Sequence, residues 1–360
     1  MVRIRRLVAR TAAGLLLIAG GYAGYSALRA HHSISVAPSG PYAVGRTVRE
    51  WRDTTRADRN LSVWLWYPVT AGTKGAAAPY APGQWSKLHQ FGIAETDFGA
   101  ISTGTLLEAP IAPGVFPIVV FLPGLGFSAP QYATIAASLA ARGYVVAGVT
   151  PTYSANVTVL DNHLVKATEA GDPSDLTVAS GDRLAGVWAA DARFTAKQVA
   201  AAYQDHVDAK HVVYAGHSFG GAASLEACRT DPACAGAADL DGNPYGPVVS
   251  LGLNKPILLL SSDTDGAAGD DSTRRLFRAS GGPAYAYTIA GARHFDFTDY
   301  AAYYLAAPMR LLLPMGSIDG KRALTITTGY LGAFADRAAR GTAWTAPTYS
   351  EVRPAEMLGR

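Results

Sequence analysis

From residue 116 onward the chain repeats one arrangement of apolar and polar positions. Runs of mostly apolar residues, FPIVVFL (116–122), YVVAGV (144–149), HVVYAG (211–216), AGAADLD (235–241), PILLLSS (256–262) and AYAYTIA (284–290), are separated by longer stretches. In those stretches apolar residues recur at helical spacing, over 129–142, 184–204, 218–227, 271–279 and 299–305, and a last amphipathic stretch covers 319–340. A strand without polar alternation has no wet face, so such runs predict a mostly parallel sheet covered by helices on both sides. The regular exchange of strand and helix predicts the α/β class, doubly wound, with right-handed crossovers.

Upstream the pattern changes. VGRTVREW and LSVWLWYP alternate β-branched and aromatic residues around the turn-rich DTTRADRN and predict an N-terminal antiparallel hairpin. Residues 70–114 are rich in Gly, Ala and Pro with weak periodicity, a long loop with one short helix near 85–91, and residues 152–182 interrupt the later alternation. Long loops in a compact domain tend to carry function, which makes both insertions candidates for a lid.

The first thirty residues differ from the rest. Arg3, Arg5, Arg6 and Arg10 precede an uncharged apolar run from Thr11 to Leu28, the pattern of an export signal or an N-terminal membrane anchor. Residues 31–360 are then expected to form a single domain, since a 360-residue chain with 49% hydrophobic and 16% charged residues suffices for one large core. Without the five arginines of residues 1–30 the formal charge falls from +3 to −2. The basic balance therefore belongs to targeting, no nucleic-acid partner is expected, and contact with a membrane would run through the N-terminal segment. In an exported chain the two cysteines, Cys228 and Cys234, predict a local disulfide; a metal site would need further ligands. The acidic run DTDGAAGDD fails as a calcium loop, because Arg274 stands where a bidentate Glu is required. No metal or cofactor is expected.

Candidate chemistry centres on Gly216-His217-Ser218-Phe219-Gly220-Gly221. It follows the run VVYA and precedes the helical AASLEAC, the strand-turn-helix setting in which a serine Oγ is lifted above a sheet at a helix N-terminus. A serine hydroxyl is a weak nucleophile until a base takes its proton. His294 fits that need, since it follows the last apolar run and the loop Gly291-Ala292-Arg293. His217 adjoins the serine, but neighbouring side chains on such a turn point apart. His206 and His211 stand near Asp205 and Asp208 as surface residues, and His31, His32, His89 and His163 lie in loops. The acid that would orient His294 stays open: Asp241 closes one strand, Asp263 and Asp265 follow the next, and all satisfy the chain order Ser, Asp, His. Asp239 shares a strand face with Asp241 but lies deeper.

These residues resemble the platelet-activating-factor acetylhydrolase type of α/β-hydrolase and its bacterial carboxylesterase and lipase relatives. The landmarks are GPYAVGR, LSVWLWYP, FPIVVFLPGLG, GHSFGG, DLDGNPYG, the His294 loop and GSIDGKRALTITTGYLGAF, in that family's order from about Gly40 onward. The resemblance implies an α/β-hydrolase fold and a serine carboxylic-ester hydrolase of esterase or lipase type, acting on a small-molecule or lipid ester without a cofactor. It places the acid at Asp241, whereas related bacterial lipases and polyester hydrolases of the same fold carry it after the next strand, at Asp265. It also implies an oxyanion hole made by the backbone N–H groups of Leu125, in Pro123-Gly124-Leu125-Gly126, and of Phe219. Pro123 stands where the family usually has His, which leaves the backbone donor of Leu125 usable. A peptidase or acyltransferase would use the same machinery, and a hydrolase fold that only binds a lipid or a protein is the non-enzymatic alternative.

Overall fold

The computed structural model describes residues 2–263 and 271–355. The apolar runs form the centre of a ten-stranded sheet. In chain order its strands are β1 (Ala43–Asp53), β2 (Arg59–Val69), β3 (Thr105–Leu107), β4 (Phe116–Leu122), β5 (Val145–Thr150), β6 (Val207–His217), β7 (Cys234–Leu240), β8 (Ile257–Ser262), β9 (Ala284–Ile289) and β10 (Val352–Pro354). The spatial order is β10-β9-β8-β7-β6-β4-β5-β2-β1-β3. Pairing is parallel from β5 through β9. It is antiparallel where β2 meets β5 and where β10 closes the edge on β9. β1 and β2 pair antiparallel from Ala43↔Val69 to Asp53↔Arg59.

Among the described residues the longer helices are α1 (Val2–Ala30), α2 (Ala133–Ala141), α3 (Val178–Ala202), α4 (Phe219–Thr230), α5 (Asp271–Ala279) and α6 (Gly320–Arg340). Successive residues of β4 show why its sequence is apolar throughout. Val119 and Phe121 join a core with Ile135 and Leu139 of α2 and Leu331 and Phe334 of α6. Ile118, Val120 and Leu122 join a second core with Trp188 and Val199 of α3 and Leu225 of α4. Side chains alternate across a strand, so a sheet with two dry faces needs apolar residues at every position.

Three local expectations change. The helix expected over 184–204 starts at Val178, because Thr177 caps it by accepting a hydrogen bond from the Ser180 N–H. Its first turns are mostly exposed and carry no apolar face to read, so the interruption between β5 and α3 ends at residue 177 rather than 182. The helix expected over 299–305 is one 3-10 turn, Asp299–Ala301; beyond it Leu305 bridges to Glu95, which draws the chain out of helical conformation. The short helix near 85–91 is the 3-10 stretch Gly83–Leu88.

Both long insertions are tied down. Across 70–114, the buried Arg46 of β1 lies over the Trp64 ring and donates to the Pro79 carbonyl, and Trp85 packs edge-on against Trp64. Burial lowers the Arg46 pKa to about 10, with Glu108 opposing the shift. The second insertion carries a small hairpin, Thr158–Leu160 with His163–Val165. It is fixed from below by the Trp188 Nε1–H on Ser154 Oγ and by Arg59, which joins the Thr152 carbonyl to the fully buried Asp191.

Cys228 near the end of α4 and Cys234 at the start of β7 form a disulfide. It spans the last residues of α4 and the short turn before β7, and so holds the far end of the helix that begins beside Ser218. Replacing both cysteines by serine is expected to lower the unfolding free energy in urea by about 2 kcal/mol, the loop-entropy value for so short a closure; equal midpoints for the two proteins would show that the bridge contributes nothing.

Candidate active site

Ser218 occupies the junction between β6 and α4 with φ 55° and ψ −126°, a backbone conformation that a residue with a Cβ rarely adopts. The surrounding glycines explain how it is reached. A Cβ on Gly216 would lie 2.3 Å from the Gly220 backbone, and one on Gly220 would lie 2.2 Å from the Pro123 carbonyl oxygen. The turn is thus a crossing of backbones with no room for side chains. The Ser218 N–H donates to the Leu240 carbonyl at 2.8 Å, and its own carbonyl accepts from the Gly221 N–H at 2.9 Å. Phe219, directly after it, opens α4 and has a first-turn N–H without an intrahelical acceptor.

His294 begins a 3-10 turn after β9, and its side chain is 28% exposed. Its Nε2 lies 3.0 Å from Ser218 Oγ and its Nδ1 lies 2.7 Å from Asp241 Oδ2. Asp241, one residue past β7 and itself at positive φ, is buried. Its other oxygen accepts the Ser262 N–H at 2.7 Å, so the carboxylate is clamped between β8 and the imidazole. The structure therefore brings Ser218, His294 and Asp241 into one hydrogen-bonded line. Asp263 is directed elsewhere: it accepts from the Gly291 N–H and from Arg353. Asp265 lies outside the described residues.

The Pro123–Gly126 loop adjoins the serine, since a Cβ on Gly124 would be 3.4 Å from Ser218 Cβ. Its donors are engaged on either side of Leu125: Gly124 N–H to Tyr132 Oη, Gly126 N–H to the Ser154 carbonyl, and Phe127 N–H to the Gly124 carbonyl. The second insertion docks on this loop, with the Asn156 N–H on the Gly126 carbonyl at 2.9 Å and Ser128 Oγ on the Val157 carbonyl. On another side stands an aromatic wall. Phe127 meets Phe295 edge-on at 5.2 Å between centroids, Tyr300 stacks on Phe295, and Phe91 of the first insertion reaches Tyr300.

The remaining candidates take other roles. His211 pairs with Asp208 at the surface, His31 with Asp97, and His89 packs edge-on against Phe98. Among the described residues no group of three His, Cys, Asp or Glu side chains is arranged to hold a metal ion. Asp239 is fully buried; burial, reinforced by the charge of Asp241, pushes its pKa well above the usual carboxylate range. Its Oδ1 accepts the Gly242 N–H at 2.8 Å and so shapes the turn that presents Asp241.

Comparison with known proteins adds to this geometry. Residues 32–178 and 176–339 match the family model described as platelet-activating factor acetylhydrolase, isoform II. A probable 1-alkyl-2-acetylglycerophosphocholine esterase from Arthroderma benhamiae is 25% identical over 319 residues, 78% of this chain and 80% of that protein. A solved ferulic acid esterase from Streptomyces cinnamoneus superposes with a TM-score of 0.78 at 28% identity, over 89% of this chain and 99% of that one.

Asp299, five residues past His294, is a part of the site's frame that the sequence did not single out. Fully buried, it accepts the Thr134 N–H at the start of α2 and the Tyr80 hydroxyl of the first insertion, and so joins three segments behind the His294 turn. Burial pushes its pKa up to about 6, while those hydrogen bonds hold it down. A folded value above the unfolded one means that the native state binds this proton more tightly. Its contribution to stability is therefore complete below about pH 4 and declines as pH rises through about 6. Measured by thermal unfolding, Asp299→Asn is expected to gain on the native chain as pH rises across that window; parallel curves would show that Asp299 does not titrate there.

Proposed function

This chain belongs to the platelet-activating factor acetylhydrolase, isoform II, family, and from that premise we propose that it is a serine carboxylic-ester hydrolase that works through a Ser218 acyl-enzyme. The observation that carries this reading is the line Ser218 Oγ, His294 Nε2, His294 Nδ1, Asp241 Oδ2, with spacings of 3.0 and 2.7 Å at a strained strand-to-helix turn. His294 takes the serine proton as Oγ attacks the ester carbonyl, and Asp241 keeps the Nδ1–H tautomer and stabilises the imidazolium. The Leu125 and Phe219 N–H groups receive the negative charge that develops on the carbonyl oxygen, aided by the N-terminus of α4. The imidazolium then protonates the departing alkoxide. A water molecule activated by His294 releases the acid and restores Ser218.

Two classes of small-molecule ester come into question, a lipid ester and a phenolic acyl ester, since one relative is named as a 1-alkyl-2-acetylglycerophosphocholine esterase and the other as a ferulic acid esterase. The aromatic wall of Phe127, Phe295 and Tyr300 favours an apolar group beside the scissile bond. Ser218→Ala is expected to lower kcat on a short p-nitrophenyl ester by about 10⁴-fold or more, and turnover at the native rate would refute the assignment. Asp241→Asn is expected to fall by orders of magnitude while Asp265→Asn stays near the native rate; the reverse order would move the acid to residue 265. Rates across ester chain lengths and on the corresponding amides, with alcohol acceptors added, separate an esterase from a peptidase or acyltransferase.

The chain is consistent with export, and we propose that α1 is retained as a membrane anchor. Residues 10–30 are long and apolar enough to cross a bilayer, with Leu15 to Ile18 exposed. The last turns of the same helix are built into the body. Ser26 and Ala30 are buried, the Ala30 carbonyl accepts the Asp97 N–H, Tyr22 Oη accepts the Ala307 N–H, and Tyr25 and Arg29 lie against Tyr304. Expressed with its own N-terminus in an exporting host, the protein is expected to resist carbonate extraction and to yield peptides from residues 11–30 in mass spectrometry. A soluble product lacking them would show cleavage.

A further inference from the structure

His217 lies beside Ser218 in sequence, yet its side chain turns away into the protein and is completely buried. There it has two partners. Nδ1 is 2.8 Å from Tyr132 Oη, and Nε2 is 2.9 Å from the backbone carbonyl of His294. The roles of every atom in this chain of contacts follow from what each can do. A carbonyl only accepts, so Nε2 carries the hydrogen. Burial, with the nearby His294 adding to it, holds the His217 pKa well below its ordinary value, so the ring is neutral and Nδ1 is an acceptor. Tyr132 must then donate its hydroxyl hydrogen to Nδ1, and its oxygen is left to accept the Gly124 N–H at 2.9 Å. The polarity runs one way throughout: Gly124 N–H to Tyr132 O–H to His217 Nδ1, then Nε2–H to the His294 carbonyl.

We propose that His217 is a positioning residue, a tautomer-locked strut that sets the base loop at His294 against the oxyanion loop at Gly124-Leu125 through Tyr132. The proposal rests on the reading of Ser218 as nucleophile and His294 as base. Its reasoning is geometric. The three groups that must meet one ester carbonyl come from three separate places in the chain, the Leu125 loop after β4, Ser218 after β6 and His294 after β9. Asp241 holds His294 by its ring, through Nδ1, and not by its backbone. The strut reaches that backbone directly, and it starts from the residue adjoining the nucleophile. Its inner members lie in the core: Tyr132 is buried against Phe121, and the buried His217 ring stacks on Phe297 and sits 4.5 Å from the ring of His294. A buried hydrogen-bond chain whose every member is satisfied favours one arrangement over its neighbours. A misplacement of about 1 Å at such a site is enough for about a 100-fold loss of rate.

Two variants and one spectrum test this. Tyr132→Phe removes a single oxygen and keeps the ring, and His217→Phe removes both imidazole contacts. Rates are taken per active site, with sites counted by the burst of a fluorophosphonate, so that loss of folded protein does not enter kcat. Each variant is expected to lower kcat by about 10- to 100-fold with KM little changed, and the double variant is expected to be no worse than His217→Phe alone, since both cut the same chain. In the native protein the imidazole ¹⁵N spectrum is expected to show His217 as the neutral Nε2–H tautomer at every pH where the fold persists. Native kcat per site in Tyr132→Phe, additive losses in the double variant, or an Nδ1–H or charged His217 would each overturn the strut. Turnover surviving in Ser218→Ala would instead remove the reading on which the strut rests.

Discussion

Ser218 is held at φ 55° and ψ −126°, a conformation that costs a non-glycine residue on the order of 1–3 kcal/mol, and the rest of the sheet is arranged to hold it there. What holds it is the close crossing of three backbones. The turn 216–221 passes under the Leu122–Pro123 carbonyls on one side and against the Gly242 turn on the other, where a Cβ on Gly242 would lie 2.1 Å from the Ser218 carbonyl oxygen. The glycines at 216, 220 and 242 are the condition for that crossing. Because β4, β6 and β7 are adjacent parallel strands, their carboxyl ends deliver the Leu125 loop, Ser218 and Asp241 to the same edge. A parallel sheet thus converts residues more than a hundred positions apart in sequence into neighbours, and the strained turn fixes the point at which they converge.

Much of this architecture was legible because burial on both faces leaves a plain mark. The runs at 116–122 and 256–262 lie within a residue of β4 and β8, since a two-faced dry strand has no polar position to blur its limits. Boundaries failed where exposure or tertiary contact decided. The start of α3 at Val178 rests on the Thr177 cap and carries no apolar stripe, and the turn at Asp299 is shaped by partners far away in sequence. Within the site, the Gly216–Gly221 pattern was readable because it records a steric requirement. The choice among carboxylates was not, since Asp241, Asp263 and Asp265 all follow strands that end at the same edge. Only coordinates show Asp263 turned toward Gly291 and Arg353.

His217 and Tyr132 were invisible for a different reason. The sequence raises the question of whether a histidine next to a serine can reach it, and the geometry of the turn answers that it points away. Where it points depends on Tyr132, 85 positions earlier, and on a backbone carbonyl 77 positions later. Asp299 belongs with them: it is a buried carboxyl that holds the backbone N–H of Thr134, 165 positions earlier.

The glycine crossing also divides the site into parts with different freedom to vary. Positions 216, 220 and 242 touch main-chain atoms, so any side chain there must move a strand end, and no compensating substitution elsewhere makes room. Phe127, Phe295 and Tyr300 touch one another through rings, and the nearest atoms that a Cβ on Gly126 would meet belong to the side chains of Asn156 and Asp172. A library intended to change substrate preference therefore belongs on the aromatic wall and the 156–172 segment. Descendants of this enzyme, natural or selected, can diversify there while the crossing beneath Ser218 stays as it is.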